Sequence, residues 1–176
     1  MKYIFEEIIK EIKKVLKKID PHDICKFTEE IKRAKKIYVV GVGRSGLIAR
    51  NLAMRLVRLN KDSFVIGETI NPKMRKDDLL IALSGSGETG DVLSTVKISR
   101  VLGGRILGIT GVADSPLAKL SHQLIIIPAQ IPERLGNQYQ LRELIGVPER
   151  SPTKSLFEVC TLIFLELAVS KLNGKK

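Results

Sequence analysis

The sequence has no tryptophan and few residues that bind metals. Of its 176 residues, only two are cysteine and two are histidine. Cys25 and Cys160 lie far apart in the chain, without the CxxC spacing or the neighbouring histidines typical of metal sites. We therefore expect both cysteines to be buried thiols and the protein to use no metal and no other cofactor.

Long uninterrupted apolar runs are also missing. The long apolar stretch near the start, residues 1–19, is interrupted throughout by lysine and glutamate. A signal peptide or a membrane-spanning helix needs a continuous apolar segment. We therefore expect a cytoplasmic protein that has no membrane partner.

The charge is strongly unbalanced. Lysine and arginine number 30 against 19 aspartates and glutamates, a formal net charge of +11. Such an excess suits nucleic-acid binding, but the lysines of the first helical pattern are interleaved with glutamates, and aromatic residues for base stacking make up only 5%. We expect no nucleic-acid partner, and a positive field that favours anionic metabolites.

Helical and strand patterns alternate along the chain and indicate one α/β domain over residues 1–176. Two helices fill residues 1–35, an alternating core fills 36–128, a long connection with a short helix near Tyr139–Ile145 fills 129–154, and a final helix fills 155–173. The alternation predicts a parallel sheet. The predicted strands are Lys36–Val40, Asp62–Ile66, Leu79–Leu83, Arg105–Thr110 and Leu124–Pro128. The predicted core helices are Ser45–Leu59, Glu88–Leu102 and Pro116–Leu120.

Two glycine-rich turns, Gly41–Gly46 and Ser84–Gly90, each follow an apolar strand and precede a helix. A helix N-terminus has unpaired backbone N–H groups and a positive dipole end, and glycine lets a phosphate approach the backbone. The hydroxyls of Ser84, Ser86 and Thr89 suit a phosphate monoester. The alternative is that these residues only cap the helix and allow the turn.

The first turn also fits a different ligand. Gly41, Gly43 and Gly46 form GxGxxG, and Glu68 follows about 20 residues later near the end of the second predicted strand. This is the dinucleotide-binding fingerprint with its ribose-binding acid. A dinucleotide therefore stays open as an alternative ligand.

Taken together, four stretches resemble the SIS (sugar isomerase) domain, and within it the 6-phospho-3-hexuloisomerases: Gly41–Gly46, Gly67–Thr69, Ser84–Thr89 and Leu156–Glu158. The resemblance implies a three-layer, five-stranded parallel sheet of flavodoxin-like order 2-1-3-4-5, with its topological switch point between the first and third strands. It also implies a phosphorylated sugar as ligand and a homo-oligomer, expected to be a tetramer built as a dimer of dimers.

The resemblance assigns roles to particular residues. It implies phosphate binding by Ser45, Ser84, Ser86 and Thr89 together with Gly43, Gly85 and Gly87. It implies Glu158 as the catalytic base. Two more residues are candidates from their chemistry, although either can equally be an ion-pair or surface residue: Glu68 as a second carboxylate and Arg44 as a contact for substrate charge.

The implied reaction converts 3-hexulose 6-phosphate to fructose 6-phosphate through a cis-enediol, as in the ribulose monophosphate pathway. Ser155 and Glu158 also fit the capping box S-x-x-E, in which Glu158 only bonds the Ser155 N–H. A non-catalytic sugar-phosphate-binding regulatory module is a second alternative. The sequence reads Pro152-Thr153-Lys154 where the family usually has Pro-Met-Gly, and it shows no histidine-bearing tail after the last helix.

Overall fold

The computed structural model describes residues 2–129 and 155–174. Five parallel strands form one sheet of order β2-β1-β3-β4-β5, which confirms the expected strand order. The strands are β1 (Ile37–Val40), β2 (Ser63–Val65), β3 (Leu79–Leu83), β4 (Arg105–Thr110) and β5 (Gln123–Ile126). The helices are α1 (Lys2–Leu16), α2 (His22–Arg33), α3 (Arg44–Arg58), α4 (Gly90–Val101), α5 (Pro116–Leu120) and α6 (Leu156–Leu172).

The predicted connection at residues 129–154, with its helix near Tyr139–Ile145, lies outside the described residues except for Ala129. Within the described ranges, no helix is long and apolar enough to cross a membrane.

The central strands are buried on both faces, as a parallel sheet between helical layers requires. Every residue of β1 and β3 is buried. Odd-numbered residues such as Val39 and Ile81 pack with α2, α3 and α6, where Phe27 and Phe164 meet edge to face with ring centroids 6.1 Å apart. Even-numbered residues such as Leu80 pack against α4 and α5. The sheet is therefore the middle of three layers, as expected.

The two cysteines differ in their surroundings. Cys160 is buried in α6, and burial raises the pKa of its thiol to about 11. Cys25 is only partly buried, and its Sγ lies 3.2 Å from Nζ of Lys171. The expectation of two buried thiols is right for Cys160 and wrong for Cys25. Among the described residues, no group of histidine, cysteine, aspartate and glutamate could hold a metal ion.

Candidate functional site

Both glycine turns lie at the carboxyl edge of the sheet on neighbouring strands. Strands β1 and β3 pair in parallel, with Val40 opposite Ala82 at their ends. Helix α3 begins at Arg44 after the first turn, and α4 begins at Gly90 after the second. The N-termini of α3 and α4 therefore meet at the topological switch point, where open α/β sheets bind ligands.

The first turn brings α3 close to β1. A Cβ at Gly41 would lie 2.7 Å from the Ser45 carbonyl oxygen, and one at Gly46 would lie 2.9 Å from the Gly41 oxygen. Gly43 has φ of 58°, a left-handed conformation that glycine adopts most easily. The glycines of the GxGxxG pattern thus have a structural role here whatever the ligand is. Ser45 is buried in the first turn of α3.

The second turn is held by its own hydroxyls. Ser84 is 2% exposed, and its Oγ accepts the Gly87 N–H at 3.1 Å and lies 2.9 Å from the Thr89 hydroxyl. The Ser86 Oγ is only partly buried and accepts the Glu88 N–H at 3.2 Å. Ser84 therefore stabilises the turn, while Ser86 and Thr89 remain accessible.

The capping alternative does not describe the second turn well. Thr89 is the N-cap residue of α4, but its side chain makes no capping hydrogen bond. Helix α4 begins at Gly90, two residues later than predicted, because the turn runs on through Thr89. By helix geometry the first amides of α4 have no carbonyl partner within their own helix, and they lie at the positive end of its dipole. The turn thus offers the hydrogen-bond donors that a phosphate needs.

A substitution tests this assignment. Replacing Ser86 with alanine is expected to weaken binding of a sugar phosphate by roughly 1–3 kcal/mol, the range for a hydrogen bond to a charged group, with little change in stability. Ser94→Ala, at an exposed position of α4, is the matched control and should bind normally. Isothermal titration calorimetry measures both. Equal affinities of wild type and Ser86→Ala would remove Ser86 from the site.

The structure brings Arg44, Ser155 and Glu158 together. Arg44 Nη1 donates to Ser155 Oγ at 3.2 Å, and its Nε lies 3.7 Å from Glu158 Oε1. The Glu158 side chain is 16% exposed, and its Oε2 is buried with no hydrogen-bond partner among residues 2–129 and 155–174. A carboxylate from the first turn of α6 thus contacts the first residue of α3.

The capping box between Ser155 and Glu158 is not formed. Ser155 is the N-cap residue of α6, yet its side chain makes no capping hydrogen bond and accepts from Arg44 instead. Glu158 accepts no hydrogen bond from the Ser155 N–H in the described structure, since its contact is the ion pair with Arg44. The carboxylate therefore has no capping role, and its role in catalysis stays a prediction.

Glu68 lies elsewhere and is exposed. Its Oε1 is 3.3 Å from Arg50 Nη2, and both side chains are more than half exposed, at 53% and 55%. Such pairs add little to stability. This is the surface ion-pair alternative that the sequence left open, and any catalytic role of Glu68 stays a prediction.

Sequence reasoning missed Thr161. Its Oγ1 is buried and has no hydrogen-bond partner in the described part of the chain. One signal was available, since a spacing of three residues from Glu158 places both on one side of a helix. The contact of Arg44 with Ser155 had no such signal, because these residues are remote in the sequence.

The fold and site define a doubly wound α/β domain, with two glycine turns and a largely buried carboxylate contacting the helix that follows one of them. The family model described as the SIS domain matches residues 30–140. The chain belongs to the SIS domain family, as the resemblance implied.

Three relatives bear on function. The chain is 34% identical to a 3-hexulose-6-phosphate isomerase of Methanocaldococcus jannaschii, over 90% of this chain and 81% of that protein. A crystal structure from Methanococcus jannaschii, for which a molecular function of 3-hexulose-6-phosphate isomerase is inferred, matches with a TM-score of 0.77 and 31% identity, over 97% of this chain and 89% of that one. An HTH-type transcriptional regulator of Clostridium perfringens is 30% identical over 62% of this chain and 41% of its own length.

Proposed function

We propose that this protein is a cytoplasmic sugar-phosphate isomerase that converts 3-hexulose 6-phosphate to fructose 6-phosphate, the step used in the ribulose monophosphate pathway. The observation that carries the proposal is the Glu158 carboxylate, with one oxygen near Arg44 and the other buried without a partner in the described part of the chain. The relatives named 3-hexulose-6-phosphate isomerase support the same substrate.

The reaction moves one proton between neighbouring carbons and needs one well-placed base. Glu158 takes the C2 proton, and the electron pair of that C–H bond forms the enediol with the C3 carbonyl. The protonated Glu158 then returns the proton to C3. The O2 hydroxyl proton passes through solvent to the C3 oxygen as the C2 carbonyl forms, so no proton is gained or lost overall. Arg44 orients the carboxylate for this transfer, and general base catalysis of this kind contributes about 10²–10⁴-fold in rate.

The phosphate is expected to bind at the second turn. Ser86 and Thr89 provide accessible hydroxyls and Ser84 holds the turn. Gly85 is expected to allow close approach of the phosphate, and Gly87 lets the turn pack against Ser115. Ser45 and Gly43 of the first turn lie at the neighbouring helix N-terminus and supply further donors. Both helix dipoles favour a dianionic group there.

Ligand binding and turnover test the proposal together. Fructose 6-phosphate at 100 times its Kd is expected to stabilise the protein by about 2.7 kcal/mol, a rise in Tm of roughly 5–10 °C, and 3-hexulose 6-phosphate should be turned over. NAD should leave Tm unchanged, because the hydroxyls of the second turn are proposed to bind a phosphate monoester. Stabilisation by NAD, without any by the sugar phosphate, would favour the dinucleotide alternative.

A non-catalytic sugar-phosphate-binding module is the second candidate. The similarity to the Clostridium perfringens transcriptional regulator favours it, because a protein named as a regulator is 30% identical over 62% of this chain. Binding of fructose 6-phosphate without turnover of 3-hexulose 6-phosphate would support this function.

We also propose that the protein is a homo-oligomer, a tetramer built as a dimer of dimers. Helices α3 and α6 expose Leu47, Met54 and Leu167, at 65%, 44% and 57%, and Arg55 joins the two helices through a 3.0 Å ion pair with Glu166. An exposed apolar face of this kind is typical of subunit contacts. Sedimentation equilibrium should give about four times the 19.6 kDa chain mass, and Met54→Lys should lower it. A monomer would contradict the proposal.

A further inference from the structure

Helix α6 contains two buried oxygens without partners, one turn apart. Glu158 Oε2 and Thr161 Oγ1 are both buried and have no hydrogen-bond partner among the described residues. Thr161 is only 1% exposed. A buried polar group left unpaired costs about 1–3 kcal/mol, so two such groups side by side call for a physical explanation.

Thr161 differs from three other hydroxyl residues in the helices. A serine or threonine within a helix commonly donates to a carbonyl one turn earlier. Thr28 donates to the Cys25 oxygen at 2.9 Å, and Thr95 donates to the Asp91 oxygen at 2.8 Å. Ser99 bonds the Thr95 oxygen at 2.8 Å in the same way. Thr161 makes no such bond, so its hydroxyl proton remains available to another acceptor.

The geometry of a helix brings this donor to Glu158. Residues three apart lie on the same side of a helix, with about 5–6 Å between their Cβ atoms. Helical side chains also lean toward the preceding turn, which for Thr161 is the turn that carries Glu158. The two oxygens are not directly hydrogen-bonded, but a single water can join groups at this spacing.

We propose that Thr161 is a positioning residue for Glu158, its hydroxyl donating through one water to Oε2 and so orienting the carboxylate. Arg44 then contacts Oε1 directly, and Thr161 reaches Oε2 through the water. Because Oε2 is buried, Oε1 is the oxygen that takes the C2 proton. The inference rests on the proposed isomerase function.

A positioning role and a structural role predict different outcomes for Thr161→Val. Valine has nearly the same shape and lacks the hydroxyl. Because Thr161 Oγ1 bonds no protein group in the described structure, its removal should change Tm little. A threonine that only fills space would give the same Tm and wild-type kinetics. A positioning residue would change the kinetics.

The experiment compares Thr161→Val, Thr161→Ser and Ser63→Ala by kcat and by KM for 3-hexulose 6-phosphate. Ser63 on β2 is the control, because its Oγ is also buried without a partner among the described residues. Thr161→Val should lower kcat by about tenfold with KM little changed, since the base is less well oriented. Thr161→Ser should restore kcat, and Ser63→Ala should match wild type.

Two results would overturn the inference. One is Thr161→Val with wild-type kcat, and the other is Thr161→Ser as impaired as Thr161→Val, which would assign the effect to the methyl group. If valine does not pack, comparing Thr161→Ala with Thr161→Ser poses the same question. Wild-type protein without turnover would instead refute the proposed function. If wild type is active and Glu158→Gln is inactive, the proposed function stands, and the Thr161 variants alone then decide the positioning role.

Discussion

Replacing Glu158 with glutamine is expected to lower kcat for 3-hexulose 6-phosphate by about 10²–10⁴-fold. Glutamine keeps the size and polarity of the side chain but cannot accept the C2 proton as a carboxylate does. The melting temperature should change little, because Glu158 contacts Arg44 through a partly exposed ion pair rather than capping α6. Steady-state kinetics and thermal unfolding measure the two effects.

Glu166→Gln is the matched control for this prediction. Glu166 lies on the same helix, is 42% exposed and pairs with Arg55 at 3.0 Å, so its substitution should leave kcat near the wild-type value. Glu68→Gln decides between the two candidate carboxylates. Wild-type turnover by Glu158→Gln together with a large loss in Glu68→Gln would transfer the catalytic role to Glu68.

Much of the fold could be predicted because its signals are local. Three elements begin and end at the residues predicted from the sequence: the strands Leu79–Leu83 and Arg105–Thr110 and the helix Pro116–Leu120. Other helices and strands end at different residues from those predicted, because local hydrogen bonds turn the chain before the apolar pattern ends. Helix α1 ends at Leu16 rather than at Ile19 because the chain turns there, with the Lys18 N–H bonding the Val15 oxygen at 2.9 Å.

The candidate site was predictable in part. The two glycine turns could be recognised from their composition and from their place between a strand and a helix. They are Gly41–Gly46 and Ser84–Gly90. The ion-pair partner of Glu158 could not be recognised in this way, because Arg44 reaches Glu158 only after β1, α3 and α6 have packed together. A capping box and a catalytic carboxylate share the same local sequence, so only the direction of the Ser155 and Glu158 side chains separates them.

Replacing Gly87 with alanine is expected to destabilise the protein by about 3–5 kcal/mol, lowering Tm by roughly 6–20 °C. Gly87 has φ of 66°, which is costly for any residue with a Cβ. That Cβ would collide with the side chain of Ser115 and lie 3.0 Å from Thr110 Oγ1. The Gly87 oxygen accepts the Leu117 N–H at 3.0 Å, so the turn cannot move away without disturbing α5.

Gly90→Ala separates this steric effect from a general loss of glycine in the same turn. A Cβ at Gly90 meets nothing within 4 Å, and Gly90 is the first residue of α4, where alanine is favourable. The Tm of Gly90→Ala should be unchanged or higher.

Gly87→Ala should also affect ligand binding. Because Ser84 Oγ accepts the Gly87 N–H, distortion at Gly87 should displace the hydroxyls of the second turn and weaken fructose 6-phosphate binding. Differential scanning calorimetry and titration calorimetry test both parts. If Gly87→Ala keeps the Tm and affinity of wild type, the second turn is not the rigid phosphate-binding element described above.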